Sequence, residues 1–172
     1  MRFWNKVLVL ATMASLATLA AAQGDTPPKV TLTLGSPTAM ANKAIHATLT
    51  VTFSEGLHGY QNPPSDPSLI PVTVKSADNV FKVVMVQYPK GTPTKVDGEP
   101  KPINVYQGTI KIPVVIQAPS KLGKATVSLS FKYQQCNQQS CFAPGTIVAK
   151  ATVNIVKYSG PAKQMSMPMG KA

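Results

Sequence analysis

The chain has 172 residues, 17 of them lysine or arginine and 6 aspartate or glutamate, giving a formal net charge of +11, with two cysteines and two histidines. That length fits one domain with a core large enough to fold without several disulfides. The lysines are scattered along the chain and the single arginine, Arg2, lies near its start; the basic runs and bidentate arginine contacts of nucleic-acid readers are missing, so no nucleic-acid partner is expected.

Arg2 and Lys6 precede an apolar run from Val7 to Ala20, and Ala20-Ala21-Ala22 follows as a small-residue cleavage site. The run is too short to span a bilayer comfortably, so residues 1–22 read as a secretory signal peptide. Once Arg2 and Lys6 are removed, 15 of the 17 basic residues remain, all lysine, against 6 acidic ones, which is about +9. No later segment reaches transmembrane length. The mature chain is therefore expected to be periplasmic or secreted, without a membrane span, in a compartment where disulfides persist.

Beyond Gln23 the hydrophobic period is two. The first candidate strand is VTLTL, Val30 to Leu34. In AIHATLTVTF, Ile45, Ala47, Leu49, Val51 and Phe53 share one face while His46, Thr48, Thr50 and Thr52 share the other, the pattern of a half-buried strand. PVTVK (Pro71 to Lys75), FKVVMVQY (Phe81 to Tyr88) and GTIKIPVVI (Gly108 to Ile116) follow. Within the last of these, Pro113 cannot donate to a ladder and is expected on an edge strand or at a bulge. TVSLSFKY then points Val127, Leu129, Phe131 and Tyr133 inward, and IVAKATVNIV points Ile147, Ala149, Ala151, Val153 and Ile155 inward.

Turn clusters rich in proline and glycine, such as NPPSDP, PKGTP, VDGEPKP and APSKLGK, separate these runs. About seven short strands without a convincing amphipathic helix predict an all-β fold: an immunoglobulin-like antiparallel β-sandwich over residues 23–158. Lysines on its faces discourage edge-to-edge pairing. Residues 159–172 lose the alternation and read as a flexible methionine-rich tail.

Cys136 and Cys141 lie in the connection between the last two runs, with Asn137, Gln138, Gln139 and Ser140 between them. If the flanking segments pair as a hairpin, the two cysteines can be direct cross-strand neighbours, with Cβ atoms about 4.5–5.5 Å apart and within reach of a disulfide. Closing a loop of about six residues stabilises by only about 2 kcal/mol in the chain-entropy model, which makes a weak staple. Exposed or strained disulfides are instead often labile or catalytic. A metal clip lacks further ligands, since neither His46 nor His58 stands at a zinc-type spacing. There is no thioredoxin-type CxxC at a helix start. On the residues alone, a minor structural link and a redox couple both stay open.

The segment FKYQQCNQQSCFAP resembles the active-site hairpin of the N-terminal periplasmic domain of the thiol:disulfide interchange protein DsbD, which carries Tyr-Gln-x-Cys, a short polar spacer, a second Cys and a nearby proline. EGLHGYQNPP is similar to the family's glycine-plus-tyrosine segment, and YPKGTPTKVDGEPKPINVYQGTIKIPV follows its Tyr-Pro, loop, Tyr-x-Gly and Pro-Val pattern. The likeness covers roughly Val30 to Val156.

It implies an immunoglobulin-like fold and a module without cofactor that takes electrons from a thioredoxin-like domain. Such a module passes them to periplasmic oxidoreductases, including a disulfide isomerase and a cytochrome-maturation thioredoxin. On that resemblance Cys136 and Cys141 are the redox pair, and His58 and Tyr60 stand where the family places tyrosines close to it. Tyr133 and Gln134 belong to the motif, with an architectural role open. The family's cap loop, which shields the disulfide with an aromatic ring, corresponds to Lys95 to Lys101; here it reads KVDGEPK and has no aromatic residue, which leaves Phe142 or Tyr106 to shield. The family's proteins continue into transmembrane helices and a thioredoxin domain, so a separate reductant, a membrane-bound one included, is expected. A monomer is expected.

Other residues carry two readings each. His58 is either a proton acceptor beside a thiolate or an exposed loop histidine, and His46 alternates onto the solvated face. Asp97 and Glu99 are either an acid–base pair near the cysteines or solvent-facing turn formers. No metal site is expected; a weak alternative is a Cu(I)-binding thioether row of Met165, Met167 and Met169 in the tail. No GxSxG elbow of a serine hydrolase is present. The competing function is a non-catalytic immunoglobulin-like binding module with a structural disulfide.

Overall fold

The runs with a clean period of two become the long strands of the sandwich. In the computed structural model, residues 26–157 are described; the expected signal peptide and methionine-rich tail lie outside them. Twelve strands occur among the described residues, and no helix. They are β1 (Lys29–Leu34), β2 (Thr38–Met40), β3 (Ala44–Thr52), β4 (His58–Tyr60), β5 (Thr73–Ser76), β6 (Lys82–Val86), β7 (Thr92–Thr94), β8 (Ile103–Gln107), β9 (Thr109–Gln117), β10 (Gly123–Tyr133), β11 (Gln135–Cys136) and β12 (Gly145–Val156).

Two four-stranded sheets, β1-β3-β9-β6 and β2-β12-β10-β5, contribute to one core. Their pairings are antiparallel apart from β2 beside β12. Between them lie Leu49, Val51 and Phe53 from the first sheet's β3 side, Ile112, Val114 and Ile116 from β9, and Val127, Leu129 and Phe131 from β10, with Val153 and Ile155 from β12. All are at most 3 % exposed, and each such large side chain contributes about 1.5–3 kcal/mol by leaving water. The outer face of the second sheet carries the exposed Lys75, Lys124, Lys132 and Lys150. The fold is the immunoglobulin-like sandwich expected from the alternation.

Two expectations need correction. The strand count rises from about seven to twelve because β2, β4, β7, β8 and β11 span five residues or fewer, too short to show a clear period in sequence. Pro113 is neither on an edge nor at a bulge: β9 lies between β3 and β6, and the register shift between β6 and β9 falls at Val83 to Met85, opposite Ile116 and Val115. Pro113 pairs with Thr48 across β3, and its carbonyl accepts from the Gln87 N–H just beyond the end of β6. Carbonyl and amide of one strand residue point to the same side, so the missing N–H faces the place where β6 has already ended.

Four of the unforeseen short strands form a third sheet, β11-β4-β8-β7, at one end of the sandwich. Three of its strands prolong the sandwich strands. A turn over Ser54 to Leu57 links β3 to β4, Gly108 alone joins β8 to β9, and Gln134 alone joins β10 to β11. Gly108 has φ +57°, a left-handed conformation that suits glycine.

The middle strand, β4, alternates with consequence. Gly59 faces the main core so closely that a Cβ there would lie 2.8 Å from Cζ of Phe53 and 3.3 Å from Cγ1 of Val72. Its neighbours His58 and Tyr60 therefore face away from the sandwich. Gly59→Ala is expected to destabilise the fold by about 1–3 kcal/mol through overpacking against Phe53; urea unfolding measures it.

Candidate functional site

The second apolar cluster sits on the outward face of the third sheet and consists of Tyr60, Val96, Ile103, Val105 and Cys136, with Leu69 packed against it. Cross-strand register explains the set. Tyr60 pairs with Val105, and His58 pairs with Cys136 on one side and with Gln107 on the other. Side chains at paired positions share a face. Tyr106, one residue from Val105, points the opposite way into the main core and donates from its hydroxyl to the Pro89 carbonyl at 2.7 Å. It does not shield the cysteines.

The ladder between β10 and β12 runs to Tyr133 opposite Gly145, and residues 134–144 leave it as an excursion. Within that excursion the chain folds back on itself: the Asn137 N–H donates to the Ser140 carbonyl and the Phe142 N–H donates to the Gln135 carbonyl. Asn137 Oδ1 accepts from the N–H groups of Gln139 and Ser140 at 2.9 and 2.7 Å, bracing the tip. Between the two backbone bonds Cys136 and Cys141 stand opposite one another as an antiparallel bridge, their Cα atoms 4.0 Å apart, and form a disulfide.

The two sulfurs are not equivalent. Cys136 is 1 % exposed, whereas Cys141 is exposed at the hairpin's outer side. The Tyr60 hydroxyl oxygen lies 3.3 Å from each Sγ. A disulfide carries no proton, so the phenol is the donor and one O–H is shared between both sulfurs. Burial, and after it the charge of Glu99, push the Tyr60 phenol above its ordinary value. It stays protonated near neutrality and remains a donor.

His58 is not an exposed loop histidine. It is 1 % exposed within β4, its ring edge-on to Tyr60 with centroids 5.9 Å apart at 67°. Its Nε2 is buried without a hydrogen-bond partner, and burial lowers its pKa below the ordinary 6.5.

The remaining expected residues separate into neighbours and scaffolding. Val96 to Glu99 form a turn closed by the Glu99 N–H on the Val96 carbonyl, with Gly98 at φ +85°, the position that favours glycine in a type II turn. The turn puts aliphatic Val96 into the Cys136 cluster where an aromatic ring was missed in the sequence. Asp97 is exposed, and Glu99 is half-buried and acts on Tyr60 by charge. Phe142 is half-buried, and its backbone pins the hairpin: its carbonyl accepts from Gln134 Nε2 at 3.0 Å.

Tyr133 belongs to the main core, stacked on Phe131 at 5.8 Å, and covers Gly145, where a Cβ would lie 2.7 Å from its hydroxyl. Gln135, buried and unforeseen, donates from Nε2 to the Thr26 carbonyl at 2.9 Å. Met165, Met167 and Met169 lie outside the described residues. Among the described residues no group of three or more His, Cys, Asp or Glu side chains is placed to hold a metal ion, and no helix is long and apolar enough to cross a membrane.

An immunoglobulin-like sandwich with a half-exposed cross-strand disulfide capped by a phenol defines the class: a β-sandwich domain that carries a disulfide hairpin. The family model for the N-terminal part of the thiol:disulfide interchange protein DsbD matches residues 29–152; the chain belongs to that family. A comparison with curated proteins gave no match. Among solved structures, the chain is similar to the reduced DsbD N-terminal domain of Neisseria meningitidis, with 18% identity and TM-score 0.42 over 73% of this chain and 85% of that one. It is also similar to the N-terminal periplasmic domain of ScsB from Proteus mirabilis, with 13% identity and TM-score 0.49 over 79% of this chain and 48% of that one.

The depressed pKa of His58 has a stability consequence with a definite sign. The unfolded chain binds a proton on this ring near its ordinary 6.5 while the folded protein resists it. The unfolded state therefore holds more protons below that pH, and stability is full above it and is lost as pH falls toward the folded value. Chemical denaturation between pH 7.5 and 5 is expected to show that loss, and His58→Phe is expected to flatten it.

Proposed function

We propose that the protein is an exported thiol:disulfide exchange module that carries two electrons between thioredoxin-like partners on Cys136 and Cys141. The observation that carries this reading is the asymmetry of the pair in a chain of this family: one sulfur exposed at a hairpin, its mate buried beside a phenol. A purely structural link gains little from a five-residue separation, and an exposed sulfur is open to attack.

The cycle balances as follows. A reducing partner's thiolate attacks Cys141 Sγ, the bond to Cys136 breaks, and Cys136 leaves with the electron pair and takes up a proton. The partner's second thiol then attacks its own sulfur in the mixed disulfide and releases Cys141 as a thiol. Two electrons and two protons have moved. Toward an oxidised acceptor the sequence reverses: the Cys141 thiolate attacks, and Cys136 closes the disulfide and expels the partner. The Tyr60 hydroxyl, 3.3 Å from both sulfurs, stabilises whichever sulfur carries negative charge.

An open groove of about 580 Å³ lies between Gln138 at the hairpin tip and the Ser54 to Leu57 turn with Gln107 and Gly108, and offers a place for the partner's chain. Export and a periplasmic setting agree with the N-terminal segment read as a signal peptide and with the redox requirement.

Single-cysteine variants test the assignment. Reduced Cys136→Ser, which keeps Cys141, is expected to form a lasting mixed disulfide with an oxidised thioredoxin-like protein, visible by mass. Cys141→Ser, which keeps the buried sulfur, is expected to react at least about tenfold more slowly, as burial in apolar surroundings suppresses the thiolate. Equal capture by both variants contradicts the assignment.

A further inference from the structure

We propose that His58 is the proton acceptor and donor for Cys136, an assignment that rests on the exchange reading above. Every turn of the cycle must add a proton to the Cys136 sulfur and remove it again. That sulfur is 1 % exposed and walled by Tyr60, Val96, Ile103 and Val105. A thiol in such surroundings ionises poorly and has little water to take its proton.

The groups around it differ in what they offer. Tyr60 reaches both sulfurs but holds its own proton tightly, so it donates a hydrogen bond and does not serve as a base. Glu99 is half-buried and influences Tyr60 by charge; Asp97 and Glu55 are exposed on turns. From β8 the residue in register with His58 is Gln107, which is uncharged. His58 itself is in register with Cys136 on the neighbouring strand, so the two side chains leave the same face from Cβ atoms about 4.5–5.5 Å apart.

The imidazole Nε2 is buried with no partner, an arrangement that ordinarily destabilises a fold. In the disulfide form neither sulfur has a proton to offer it. Reduction creates an S–H on the residue in register with His58. In the Nδ1–H tautomer the Nε2 lone pair is free to take that proton, and burial keeps the ring neutral and ready at pH 7. The resulting imidazolium and thiolate stabilise one another, as in other Cys–His pairs.

In the closing step, with Cys141 joined to the partner, the Cys136 thiol gives its proton to His58 Nε2. Its electron pair forms the bond to Cys141 Sγ, the Cys141–partner bond breaks, and the partner leaves as a thiolate that takes up the proton by way of solvent. In the opening step the proton released by the attacking partner thiol reaches His58 by way of solvent, and the ring hands it to Cys136 as that sulfur departs with the electron pair. The phenol of Tyr60 orients the sulfurs while His58 moves the proton.

The test uses glutathione disulfide as oxidant and the full mature chain. Reduced protein is mixed with glutathione disulfide, quenched with acid, alkylated and weighed at intervals. This separates formation of the Cys141–glutathione adduct from its resolution by Cys136. His58→Asn is expected to leave the first step within about twofold and to slow resolution at pH 7 by about a hundredfold, the lower end for a positioned general base.

A second measurement needs no variant: NMR titration of the two histidine rings of the wild-type chain in both redox forms, with exposed His46 as the internal control. The His58 midpoint is expected to rise on reduction. Resolution at the wild-type rate in His58→Asn, or a His58 titration indifferent to redox state, overturns the proposal. A wild-type protein that stays a dithiol, with neither adduct nor disulfide formed, overturns the exchange reading itself, an outcome that leaves a different trace because the closing step is never reached.

Discussion

The contact of Gly59 with the Phe53 ring is the constraint on which the site depends. A strand has two faces, and β4 is pressed so tightly against the sandwich that the inward position has no room for a Cβ. That fixes which way the strand is turned, and so sends His58 and Tyr60 together to the face where Cys136 arrives. A shift of one residue would exchange the two faces and bury a phenol against Phe53 while the disulfide faced a glycine.

The site is thus built by carrying sandwich strands past the end of the sandwich. Gly108 and Gln134 are the single-residue links at which β9 and β10 connect to the small third sheet. The short strands there have little stability of their own, as isolated pairs in water are marginal; they borrow rigidity from the large core below. Tyr133, which closes the β10–β12 ladder over Gly145, is architectural in this sense: it marks where the chain leaves the ladder and the cysteine hairpin begins. The outcome is a rigid platform carrying a small hairpin whose outer sulfur meets solvent and whose inner sulfur does not, the asymmetry that ordered exchange requires.

Much of this was legible in the residues. The alternation of AIHATLTVTF, TVSLSFKY and IVAKATVNIV assigns the inward faces of β3, β10 and β12 residue by residue, because burial on one side of a strand imposes a period of two. The opposition of Cys136 and Cys141 was also readable, from a short polar spacer in a connection. The third sheet was not, since strands such as HGY and QC are too short to display a period. Even so, the triplet His58-Gly59-Tyr60 carries the relevant signal: a glycine between two large polar rings puts both rings on one face. The aliphatic wall was hidden differently. Val105 and Tyr106 are adjacent, and only the register with β4 decides that the valine joins the cysteines and the tyrosine the core. Val96 and Glu99, in a proline- and glycine-rich turn, look solvent-facing until the turn is seen to fold over Tyr60.

Whether the Cys136–Cys141 bond works as a couple or only braces a loop is decided by its reduction potential. The mature protein would be equilibrated in a series of glutathione buffers, and the free thiols at both positions counted by alkylation and mass. A midpoint within roughly −270 to −120 mV, the span of thioredoxin-like exchange proteins, is expected; a midpoint below about −300 mV would mark the bond as structural and contradict the exchange function.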